Sequence, residues 1–159
     1  MRTLLVFGFI TAMTLATAAI SVGGAVSVAF IVNKTNPADT LPAKQLKQIF
    51  NGEKARWPNG EKIHTMATGA ATPEHKVAIP FLFGMDEAEY QKYCIHANFV
   101  GTPQQFPADF GSSQQVLNFV SSLPGGIGFI RADAVTAAVK ILKIDGKGPG
   151  DPGYALNAQ

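Results

Sequence analysis

Cysteine is almost missing from this chain. Cys94 is the only one in 159 residues, so no intramolecular disulfide can form and stability must come from a core. Charge is scarce too, at 15% of residues, and 13 basic against 11 acidic side chains leave a net charge of +2. Without a basic stripe there is no footprint for nucleic acid. There is no Walker-type loop, no Gly-x-Ser-x-Gly elbow and no dinucleotide fingerprint. His64, His75 and His96 lack the tight spacing of a metal site, so neither metal nor cofactor is expected. Cys94 and His96 are the one tempting nucleophile and base. On a helix, residues two apart diverge by about 200°, which breaks up that pair. These absences argue against an enzyme.

Apolar residues, by contrast, make up 47% of the chain, which suits one compact core at this length. Part of that excess lies at the N-terminus, where Arg2 precedes an apolar run from Leu4 to Leu15 and small residues at Ala16 and Ala18. This is the anatomy of a secretory signal peptide, with cleavage near Ala18 or near Ala25. The run falls short of the ~20 apolar residues that span a bilayer, which favours cleavage over a retained anchor. Residues 1–24 are therefore read as a leader, 25–146 as the folded domain, and the Gly/Pro-rich 147–159 as a flexible tail. The expected location is periplasmic or secreted.

Along the domain, Val26 to Asn33 is a nearly unbroken apolar run, the pattern of a central strand buried on both faces. Leu41 to Phe50 places Leu46, Ile49 and Phe50 on one helical face, with Pro42 in the first turn and Gly52 at the stop. Trp57-Pro58-Asn59-Gly60 predicts a turn, with Trp57 packed over the preceding helix or, alternatively, offered to a partner. A short strand over Lys62 to Met66 leads through a small-residue loop to a helix opened by Pro73 behind a Thr72 cap. Asp86 starts a further helix that runs to about Asn98, and 99–111 reads as an extended loop. Ser112 or Ser113 caps a helix with Val116, Leu117, Phe119 and Val120 on its apolar face, ended by Pro124-Gly125-Gly126. Ile127 to Ile130 reads as a buried strand, and Val139 to Ile144 as a half-buried edge strand. Phe81, Phe83, Phe99 and Phe106 are read as core or loop anchors. Strands separated by helices predict an α/β domain with a mainly parallel sheet, whose ligand sites lie beyond the carboxyl ends of the strands.

Three stretches then carry a resemblance: FIVNKTNPADTLPAKQLKQIFNGEKARWPNGEKI, the Thr/Gly loop before Pro73, and LPGGIGFI. In order and spacing they resemble the substrate-binding proteins of phosphate ABC transporters. That resemblance implies a type 2 periplasmic-binding-protein fold, here as one lobe (a PBP-like domain) corresponding largely to the second lobe of a two-lobed clamshell. One lobe alone offers an open, solvated half-site.

In that family the phosphate-contacting loop looks like Arg-Asp-x-Ser-Gly-Thr ahead of a helix. The comparable stretch here runs from Met66 to Pro73 and keeps Gly and Thr but has neither the Arg nor the Asp. The implied site is the loop Thr68, Gly69, Ala70, Ala71 and Thr72, whose backbone N–H groups at a helix start favour an anion. His75 and Arg131 would add positive charge, and Ser112 and Ser113 a second helix N-terminus. Each has a plainer reading: the loop and the two serines as helix caps, and Arg131 as a solvated strand-end charge.

The expected function is an extracytoplasmic solute-binding protein for phosphate or a related small oxyanion, acting in transport with an ABC permease or another envelope protein. The alternative is an accessory or sensory protein that binds a protein partner, or dimerises, over the former cleft face.

Overall fold

The computed structural model describes residues 26–100 and 106–157, so the expected leader and its cleavage point lie outside the described residues. Strands β1 (Val28–Asn33) and β2 (Thr40–Leu41) precede helix α1 (Ala43–Phe50). Next come β3 (His64–Thr68), α2 (Pro73–Phe83), α3 (Glu87–Val100), β4 (Ala108–Phe110) and α4 (Ser113–Ser122). The chain then forms β5 (Gly126–Arg131), β6 (Val139–Ile141) and β7 (Lys143–Ile144).

Five strands form one sheet in the order β4-β3-β5-β1-β6. β3 runs parallel to both β4 and β5, whereas β1 is antiparallel to β5 and β6. Four strands therefore share one direction and β1 alone opposes them. The fold is α/β, a mainly parallel sheet with helices on both faces.

The apolar run that marks β1 is explained by this position. Val28, Phe30 and Val32 point into a cluster with Leu46, Ile49 and Phe50 of α1 and Ile79 and Leu82 of α2. Ala29 and Ile31 point the other way, against Val116, Leu117 and Val120 of α4. Both faces are dry, so alternation disappears from the sequence. Asn33 closes the strand by donating through Nδ2 to Val120 O and Ser121 O, each at 2.9 Å, which satisfies carbonyls at the end of α4.

Several sequence expectations shift here. The short strand after the Trp57 turn starts later than expected, at His64, and runs on to Thr68, because Lys62 is held in an isolated bridge with Arg56. Within the expected 99–111 loop, α3 continues to Val100 and Ala108–Phe110 adds an edge strand to β3. Three residues of mixed polarity carry no periodicity, and only pairing with β3 makes them a strand. Phe119 is not core: it is half-exposed and lies over Phe110, with ring centroids 4.9 Å apart. Phe99 is fully solvated at the end of α3. The edge strand expected over Val139 to Ile144 is broken in two, because Leu142 turns inward and its N–H donates to Phe30 O at 2.8 Å. Trp57 is buried and donates Nε1–H to Gly125 O at 3.1 Å.

The segment after Gly146, expected to be loose, is in fact anchored as far as it is described. Tyr154 and Leu156 enter the core, the Tyr154 hydroxyl donates to Val28 O at 2.8 Å, and Val28 N–H donates to Leu156 O at 3.0 Å. Two apolar side chains outweigh the turn-forming glycines around them.

Burial pushes the phenols of both Tyr90 and Tyr154 well above their ordinary value of 10.0. A phenol held neutral in the folded state stabilises the fold below its unfolded pKa, and that contribution is lost as pH rises above it. Stability should therefore fall steadily above about pH 10. Urea midpoints from pH 8 to 11 check this, with Tyr154→Phe expected to flatten the decline; a flat profile in the parent chain would contradict the burial argument.

Candidate functional site

The parallel strands β3, β4 and β5 all end on one edge of the sheet, and the segments that follow them meet there. Thr68 pairs with Phe110 in the β3–β4 register, so the loop after β3 and the turn before α4 leave the sheet side by side. A Cβ placed on Gly69 would lie 3.6 Å from Gly111 Cα, which shows how closely the two segments pass. The structure thus brings Thr68 to Thr72, Ser112, Ser113 and Arg131 to a single edge.

Within the loop, the small residues form a tight cap. Thr72 N–H donates to Gly69 O at 2.9 Å. The Thr72 hydroxyl lies within donating distance of Gly69 O (2.8 Å) and Thr68 Oγ1 (2.9 Å), and accepts His75 N–H at 3.3 Å. Thr72 is the N-cap of α2, with Pro73 at the first helical position, where a missing N–H costs nothing. Thr68 is fully buried, whereas Ala71 is exposed.

Ser112 is the N-cap of α4 and accepts Gln115 N–H at 3.4 Å. Ser113, the first residue of that helix, accepts Arg131 N–H at 3.4 Å and donates its hydroxyl to Glu74 Oε1 at 2.7 Å. Glu74 belongs to the first turn of α2, so this bond joins the two helix N-termini directly.

The two expected cations are placed differently from each other. Arg131 is exposed at the strand end, but its Nε and Nη2 are bonded to Asp133 at 3.0 and 2.5 Å. That carboxylate raises the Arg131 pKa further, while Arg131 pulls Asp133 below the usual carboxylate range. His75 is turned inward and nearly fully buried. Its Nδ1 lies 2.5 Å from Thr68 O, a contact that requires the proton on Nδ1, and its Nε2 lies 3.1 Å from Glu87 Oε2. His75 thus clamps β3 to α3 and does not face an open loop.

Beside this edge, a cleft of about 440 Å³ runs between α3 and the segment before β4, lined by Ala70, His75, Glu87, Tyr90, Cys94 and Asp109 among others. Its charged walls are acidic, with no Lys or Arg among the lining residues, so it repels an anion. Burial pushes the Cys94 thiol up, the opposite of what an activated nucleophile needs. Among the described residues, no helix is long and apolar enough to cross a membrane.

Solved structures with this architecture include phosphate-binding proteins. The chain superposes on an ABC-type phosphate transport receptor from Vibrio cholerae with a TM-score of 0.63 and 18% identity, covering 79% of this chain and 49% of the receptor. The chain has the fold of one half of such a receptor. A phosphate ABC transporter substrate-binding protein with bound phosphate from Clostridium perfringens matches with a TM-score of 0.62 and 19% identity, over 77% of this chain and 46% of that one. A phosphate-binding protein from Stenotrophomonas maltophilia matches with a TM-score of 0.60 and 19% identity, over 79% and 41%. The chain therefore spans about half the length of the solved structures it matches. No family model and no curated protein matches it.

Glu74 is the residue that sequence reasoning missed. An acid in the first turn of a helix reads as a favourable dipole contact and nothing more. No local pattern reveals that it will be buried against a serine 39 positions away.

Proposed function

We propose that this chain is an extracytoplasmic solute-binding module that holds phosphate or a related small oxyanion without covalent chemistry. The anion would sit at the edge where α2 and α4 begin, contacted by backbone donors of Gly69, Ala70 and Ala71 and approached by Arg131. One observation carries this reading: two helix N-termini and a strand-end arginine converge at the carboxyl edge of three parallel strands. Aligned dipoles and free N–H groups at such an edge favour negative charge. Phosphate-binding proteins among the fold neighbours lend further support. Export by the apolar leader and delivery to an ABC permease belong to the same proposal.

Calorimetric titration of the purified chain with phosphate and with sulfate at low ionic strength tests it. Heat of binding is expected below about 10 mM anion, because an open half-site binds weakly. Arg131→Ala should weaken binding about two- to fivefold, the scale of an exposed charge contact. Silence with both anions at that concentration would sink the reading, and unchanged affinity in Arg131→Ala would move the site elsewhere.

A second reading is favoured by the pairing of Arg131 with Asp133, which occupies the guanidinium at this edge. On that reading the face meets a protein partner or a second copy of the chain. Light scattering tests the self-association arm: a dimer is expected on it, and a strict monomer that binds no envelope protein would count against it.

A further inference from the structure

The carboxylate of Glu74 stands where the parts of this edge meet. Its side chain is 2% exposed, deep for an ionisable group. Oε1 accepts the Ser113 hydroxyl at 2.7 Å, while Oε2 is buried without a hydrogen-bond partner. The backbone places this group in the first turn of α2, and its partner Ser113 is the first residue of α4. Ser113 in turn accepts the N–H of Arg131 at the end of β5. A buried carboxylate with one oxygen unpaired is costly, and two helix dipoles are the compensation that the surroundings offer. Arg131 contributes little to it, because its guanidinium is bonded to Asp133.

We infer that Glu74 is the resident anion of this edge: its carboxylate holds the position an external oxyanion would take, so an oxyanion binds only as Glu74 gives way. The inference rests on the oxyanion reading above and sets the affinity of that same site. Two anions at one edge repel, and the Ser113 hydroxyl, which has one proton to donate, cannot serve both. Removing the charge while keeping the shape should therefore open the site to any oxyanion, whatever its protonation.

Titrating the full-length chain and its Glu74→Gln variant with inorganic phosphate, and separately with sulfate, tests this. The amide oxygen of Gln still accepts from Ser113, so the fold is kept, and far-UV circular dichroism verifies that; Glu74→Ala serves as a second variant if Gln disturbs packing. Both anions are expected to bind the variant at least about tenfold more tightly, which is about 1.4 kcal/mol. Equal affinities in parent and variant would overturn it and leave the oxyanion reading standing. Weaker phosphate binding with unchanged sulfate binding would also overturn it, since Glu74 would then be a ligand to the phosphate proton and not a competitor. If no form binds either anion, the inference and the reading fall together.

Discussion

Replacing Phe30 with alanine should destabilise the domain by about 3 to 5 kcal/mol, enough to bring a protein of ordinary stability close to unfolding. Phe30 is fully buried on β1, and its ring meets Phe50 of α1 at 5.6 Å and Phe129 of β5 at 5.9 Å, both edge-on. Phe50 and Phe129 are themselves 6.2 Å apart, so three rings join a helix to two adjacent strands. Edge-to-face pairs add to the burial energy, and removing the shared ring forfeits two of them while leaving a void in a close-packed layer. Neighbouring backbone cannot collapse easily into that void, because Phe30 O also accepts the N–H of Leu142 at 2.8 Å. Urea denaturation of Phe30→Ala and Phe30→Leu measures the effect. Leucine should recover more than half of the loss, and a loss under about 1 kcal/mol for alanine would mean that the ring cluster is not central.

A single methyl group at position 125 is expected to do comparable damage. The Cβ of an alanine there would lie 1.9 Å from the carbonyl oxygen of Lys62 and 3.0 Å from its carbon, both backbone atoms that no rotamer change can move. Retreat is blocked as well. Gly125 O accepts from Trp57 Nε1 at 3.1 Å and from His64 N at 3.1 Å, so any shift of the segment weakens two hydrogen bonds. Gly125→Ala should cost about 3 kcal/mol and lower the thermal midpoint by on the order of 10 °C. Gly148→Ala is the control, since its Cβ would meet nothing closer than 3.9 Å, and it should change stability little. Similar midpoints for the two variants would show that the segment yields more readily than its contacts imply.

This clash also explains why the Leu123-Pro124-Gly125-Gly126-Ile127-Gly128 stretch was informative in the sequence. A Cβ at Gly128 would sit 2.7 Å from Val116 Cγ1, so these glycines let backbone approach backbone and α4 lie close on β5. Their role is packing. Elements with such an internal cause were legible: β1 from its two-sided burial, α1 from its three-residue apolar face, α2 and α4 from their caps. β4 was not, because its strand character comes from β3 and not from its own three residues. The packed course of the segment carrying Tyr154 was hidden for the same reason, as its partner Val28 lies 126 positions away.

For the candidate site, the sequence indicated which segments meet but not what their side chains do on meeting. Thr72 and Ser112 cap their helices, as their plainer readings held. His75 turns inward with Nδ1 on Thr68 O and Nε2 3.1 Å from Glu87 Oε2, a placement that involves α3 and is invisible in the loop itself. Arg131 and Asp133 stand two residues apart and pair through the short 3₁₀ turn Ala132–Ala134, a local contact that strand-end geometry sets up.

Because β1 alone runs against its neighbours, the described chain enters the sheet at the edge where β3, β4 and β5 leave it. Ser27 O accepts the N–H of Ala132, and Ser27 also bridges to Asn157. Both boundaries of the domain therefore open onto the rim that carries Arg131. A bulky group attached at either boundary would therefore sit beside Arg131 and crowd that rim.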